Sequence, residues 1–128
     1  MRVLEVKSGE DKTIRARGEY DIYSRHGKGV ILLLAFVCDG ANISLHVIID
    51  DKWRIDFPTI DFFFNLNITH PNDIIYCHLY DKTVLPEQYG LLLLRKVEFE
   101  KNIRIYLFNE DDVDRTIQKF LLIAEIEI

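Results

Sequence analysis

VILLLAFVCDGANISLHVIID, Val30 to Asp50, is two apolar runs joined by a tight polar turn. Asp39, Gly40, Ala41 and Asn42 suit a two-residue hairpin loop, in which Gly or Asn supplies the positive φ that the turn demands. Centred on Gly40-Ala41, the hairpin sets Cys38 against Ile43, Phe36 against Leu45, Leu34 against Val47 and Leu32 against Ile49. Centred on Asp39-Gly40, the register moves by two and the same faces stay together, because side chains alternate with period two. One face is then wholly apolar. The other sets Ile31, Leu33, Ala35 and Val37 against Ser44, His46, Ile48 and Asp50, too greasy along the first strand for open water. Strand 30–38 is therefore expected to be central and covered on both sides, by a helix, a second sheet or a partner chain.

Working outward, Arg2 to Lys7 and Thr13 to Arg17 read as short strands around a turn at Ser8-Gly9-Glu10-Asp11. Glu19 to Ser24 alternates and runs into the basic turn Arg25-His26-Gly27-Lys28-Gly29. Beyond the hairpin, Asp51 to Asp56 is an amphipathic connector, and Pro58 stands where a helix over Ile60 to Asn67 would begin. Ile74 to Tyr80 is a strand, and Leu91 to Phe99 with Ile103 to Phe108 make a second hairpin, in which Asn102 takes the left-handed position. Asn109 is placed to cap a closing helix with Val113, Ile117, Phe120, Leu121 and Ala124 at helical spacing, giving way to strand from Glu125. In that helix Glu110, Asp111, Asp112 and Asp114 would complement the dipole. The expected fold class is α+β: a mostly antiparallel sheet of about six to eight strands, a short middle helix and a C-terminal amphipathic helix.

The 128 residues are expected to form one domain, 1–128, long enough to bury roughly 65–70% of the unfolded surface. The longest apolar run, Val30 to Cys38, falls far short of a bilayer span, and Met1 to Lys12 alternates charge without an apolar core. A cytoplasmic protein with no membrane partner is the expectation. Net charge is −5, distributed as +2 over residues 1–29 and −7 over residues 30–128. An acidic body argues against a general duplex-DNA binder, which needs a broad basic surface.

Few residues offer chemistry. Glu5-Val6-Lys7 matches the metal-and-lysine half of a divalent-metal nuclease site, without the upstream acid such a site uses. Arg25, His26 and Lys28, between glycines and joined by Arg15 and Arg17, would favour an anion or a single-stranded nucleic acid. Cys77 and His78 point to opposite faces of one strand, and no zinc spacing occurs, so no metal or other cofactor is expected. Cys38 and Cys77 fall inside apolar segments, as small hydrophobes do. No serine lies in a nucleophile-elbow pattern. Trp53, Phe57, Phe62, Phe63 and Phe64 remain, and three consecutive phenylalanines cannot all face one core. By elimination these residues point to a non-catalytic protein that binds a protein partner or itself as a homodimer, in the manner of an inhibitor or immunity protein. Single-stranded nucleic-acid binding and a nuclease using Glu5 and Lys7 are the alternatives.

Overall fold

A computed structural model describes all residues 1–128. The chain forms ten strands and one short helix: β1 (Arg2–Ile14), β2 (Glu19–His26), β3 (Gly29–Cys38), β4 (Ile43–Ile49), β5 (Trp53–Thr59), α1 (Ile60–Asn65), β6 (Ile75–Asp81), β7 (Gln88–Leu93), β8 (Val97–Phe99), β9 (Asn102–Asn109) and β10 (Arg115–Glu127). They build two antiparallel sheets. Sheet A runs β1-β10-β3-β7-β6, with β8 also on β3, and sheet B runs β2-β9-β4-β5. Consecutive strands alternate between the sheets from β1 to β4, which is the winding of a double-sheet jelly roll. The architecture is all-β, not α+β.

The hairpin expected at Val30–Asp50 does not form. β3 lies in sheet A between β10 and β7, while β4 lies in sheet B between β9 and β5. None of Asp39, Gly40, Ala41 or Asn42 has the positive φ that a two-residue hairpin turn requires. Instead the Asp39 amide donates to the Thr116 carbonyl at 3.1 Å, and the Asp39 carboxylate accepts from the Thr116 amide at 2.9 Å. The linker is thus pinned to β10 as it crosses between sheets. The apolar faces of the two runs, Leu34, Phe36 and Cys38 against Ile43, Leu45 and Val47, belong to one core formed between the sheets, and all six are buried. Only this side of β3 is covered; Leu33, Ala35 and Val37 on the other are half-buried.

The second hairpin fails in the same way, since β8 pairs with β3 and β9 with β2 and β4. Asn102 does not adopt the left-handed conformation. The Asp50 carboxylate accepts backbone amides of Glu100, Lys101 and Asn102, filling the concavity that this crossing creates. Asp50 and Asp51 themselves carry φ of +55° in the true β4–β5 hairpin turn, where Asp is among the few non-glycine residues that tolerate it.

The C-terminal helix is absent: residues 115–127 are strand. Ile117, Phe120, Leu122, Ala124 and Ile126 all enter the core, although a regular strand could not bring both Ile117 and Phe120 inward. A bulge at Gln118 restores the phase. That one extra residue turns a two-residue period into a spacing that mimics a helix. At the N-terminus, the two short strands expected around residues 8–11 are a single strand. Arg2 to Glu10 pair with β10 without a break, and the left-handed Asp11 interrupts the ladder.

Candidate functional site

Two surfaces carry the features that the sandwich leaves outside. On the outer face of sheet B, Asp56, His46, Tyr106 and Asp21 fall in one row across β5, β4, β9 and β2. Ser44 Oγ lies 2.7 Å from His46 Nε2, and His46 Nδ1 lies 2.7 Å from Asp56 Oδ1. The imidazole stacks on the Tyr106 ring at 4.8 Å, and Arg54 bridges Asp56 to the Tyr106 hydroxyl. The Arg54 guanidinium, and after it His46, holds the Asp56 carboxyl below its ordinary range.

Ser44, His46 and Asp56 have the hydrogen-bond order of a nucleophile triad. Their setting differs from that of a nucleophile. Ser44 is only 4% exposed, and it sits near the start of β4 between two partner strands, where backbone amides serve the ladders rather than an oxyanion. The face around it is flat sheet, with no cavity. The array acts as a cross-strand clamp that joins β4, β5 and β9. The sequence held its signal in Ser44-x-His46, two residues apart and so on one face. Reading Asp51–Asp56 as a connector concealed the strand that brings Asp56 alongside.

The outer face of sheet A is apolar. Val6, Ile123 and Leu33 form one row across β1, β10 and β3; Leu121, Ala35, Leu92 and Tyr76 form the next across β10, β3, β7 and β6. Leu4 and Val6 are 67% and 62% exposed, and Leu121 is 38% exposed. A shallow depression of about 450 Å³ opens here, lined by Ser8, Glu10, Ala35, Val37, Lys119 and Leu121 among others. Along the middle of the face Leu33, Ala35, Tyr76, Leu92 and Ile123 are half-buried. The sequence shows part of this face in Leu33, Ala35 and Val37 of the central strand β3, and the bulge in β10 conceals the rest.

The residues singled out from sequence are dispersed. Trp53 is exposed at the start of β5, about 20 Å of strand from the helix that follows its other end. At that end Phe63 is buried, Phe57 packs on the core, Phe62 is exposed, and Phe64 stacks on Tyr80 at 3.7 Å. The basic residues fall at opposite ends of β2: Arg15 and Arg17 before it, Arg25, His26 and Lys28 at its far end. Arg17 pairs with Asp112 at 2.9 Å, Arg25 with Glu5 at 3.6 Å, and Lys28 with Glu100 and Glu127. Glu5 also accepts from the Tyr23 hydroxyl at 2.5 Å; burial, and after it this bond, pushes that phenol up. Lys7 is exposed. Asp111, Asp112 and Asp114, expected at a helix end, instead tie the β9–β10 loop to Arg115, Asn42, Arg17 and the Ala16 amide. No three His, Cys, Asp or Glu side chains converge as a metal site. No helix is long and apolar enough to cross a membrane.

No family model matches the chain, and no curated protein does. Among solved structures it is similar to a family two carbohydrate esterase from Cellvibrio japonicus, at 12% identity over 95% of this chain and 34% of that one, TM-score 0.41. A mitogen from Yersinia pseudotuberculosis aligns at 11% identity over 99% of this chain and 88% of that one, TM-score 0.33. A chain of the Helicobacter pylori bacteriophage KHP30 capsid aligns at 9% identity over 98% of this chain and all of that one, TM-score 0.39. The chain spans about a third or less of the esterase and of latent PorU from Porphyromonas gingivalis. These likenesses decide nothing about what this chain does.

Proposed function

We propose that the chain is a non-catalytic binding protein that acts through protein–protein contact, with the outer face of sheet A as its contact surface. The observation that supports this reading is the pair of adjacent apolar rows on that face, Val6 to Leu33 and Leu121 to Tyr76. Contiguous apolar surface of this kind usually marks association, because leaving it wet forgoes about 25 cal/mol for each Å². The charge of −5 favours a partner with a basic rim, as an inhibitor or immunity protein would meet.

The test compares the wild-type chain with Leu121→Asp and Phe62→Asp, each immobilised and exposed to extract of the native host. A specific protein retained by wild type and Phe62→Asp, and released by Leu121→Asp, supports the assignment. Retention that depends on Phe62 instead moves the contact to α1. A partner indifferent to both changes overturns the surface, and no specific partner at all overturns the function.

A further inference from the structure

The free edge of β1 carries a self-complementary pattern of charge. Over Arg2 to Glu10 its pairing with β10 is unbroken, and Asp11, at φ +53°, ends the regular stretch. Val6 is the centre of that stretch. The charges around Val6 are antisymmetric: Glu5 and Lys7 flank it, and Arg2 and Glu10 lie four residues to either side.

We infer that β1 pairs antiparallel with β1 of a second copy, about a two-fold axis through Val6. This goes beyond the contact reading above: the second copy adds to the edge of sheet A and leaves its outer face open. Two strands side by side and antiparallel are related by an axis perpendicular to their sheet, which keeps each face on its own side. Val6 then meets Val6, Leu4 meets Ser8, Glu5 meets Lys7, and Arg2 meets Glu10. Every charged pair is opposite in sign, and by symmetry each occurs twice. Moving the axis one residue in either direction sets Glu5 against Glu5, or Lys7 against Lys7 with Arg2 against Lys12. Like charges directly opposed across strands are destabilising, so the charges select one register.

The side chains are available for it. Lys7 has no carboxylate partner within its own chain, and Arg2 and Glu10, though near Glu125 and Lys119, are exposed. The Glu5 carboxylate is held in place by Tyr23 and Arg25, so an incoming Lys7 meets a fixed acceptor. The axis also joins the two outer apolar faces, since Leu4 and Val6 of both copies lie on the same side. Edge strands that avoid such pairing carry bulges, prolines or charges. Arg2 to Glu10 has neither proline nor bulge, and its charges complement their own reverse.

The experiment uses two exposed charge reversals, Arg2→Glu and Glu10→Arg, with sedimentation equilibrium from micromolar to millimolar concentration. Wild type is expected to be a dimer. Either variant alone opposes like charges twice, and its dimer dissociation constant should rise about tenfold or more. Mixed in equal amounts, the variants restore both pairs, because the new carboxylate of one copy faces the new guanidinium of the other. A heterodimer should then return near wild-type strength. Lys7→Glu, with no internal ion pair to lose, should weaken self-association in the same way. A monomeric wild type overturns the inference, as does a dimer indifferent to these changes or a mixture that does not recover. A monomer that still retains a host protein through Leu121 overturns the second copy while leaving the contact reading intact.

Discussion

Asn109, which the sequence marks as the cap of a closing helix, ties together two strand ends instead. Fully buried, its amide nitrogen donates to the carbonyls of Ile14, Arg15 and Val113, and its oxygen accepts from the Asp111 amide. One side chain thus satisfies the end of β1 and the β9–β10 loop at once, a task that sequence could register only as an Asn at an element boundary. Asn109→Ala should cost about 2–3 kcal/mol in urea denaturation, because several buried backbone groups lose their partner together. Asp50 plays the corresponding part at the other crossing. The Lys101 and Asn102 amides hold its carboxyl below the ordinary range. A depressed folded pKa contributes stability above the unfolded value of about 3.9, and loses it as pH falls through the folded value. The urea midpoint of Asp50→Asn should therefore lie below that of wild type at neutral pH, with the gap closing on acidification. A gap that stays constant down to acid pH would show that charge on Asp50 has no part in the turn.

At the level of elements, strand propensity was legible in residues 19–26, 43–49 and 75–81, even with one extra residue at Ile22 and another at His78, and so was the short helix after Pro58. Two things hid the rest. Apolar faces of consecutive strands look the same whether the strands lie side by side or face each other across a core, so both crossings between sheets read as hairpins. Bulges shift the alternation by one residue. Gln118 in β10 and the extra residue Leu32 in β3 each bring odd- and even-numbered residues to one face. In β10 this spacing passes for a helix, and with the helix misplaced neither the apolar outer face nor the β1 edge can be assembled. The fit between strands is tightest at Gly90, where β7 passes β3. A Cβ there would lie 2.3 Å from the Phe36 carbonyl oxygen and 2.6 Å from His78 Nε2. The imidazole can swing aside, but the backbone oxygen cannot without parting the strands. Gly90→Ala should destabilise by about 1–3 kcal/mol, read as a lower urea midpoint with the slope unchanged.

For the whole molecule, the two thiols report how the sheets separate. Cys38 ends β3 and Cys77 lies in β6, both inside sheet A and both turned into the core, with essentially no exposed surface. Burial pushes both thiols up, most strongly at Cys38, so neither supplies thiolate at neutral pH. A reagent that titrates accessible thiols should find none in the native protein and two after denaturation. The more telling quantity is the rate. Cys38 lies on β3, the middle strand of sheet A, whereas Cys77 lies on β6, its edge strand and the one next to α1. If the sandwich opens only as a unit, both thiols should label at one rate, and Asn109→Ala should raise that rate by the factor its loss of stability predicts. Faster labelling of Cys77 alone would mean that β6 and α1 detach before the sheets part. The cooperative core would then reduce to the remaining strands of the two sheets, with the outer apolar face still attached to it.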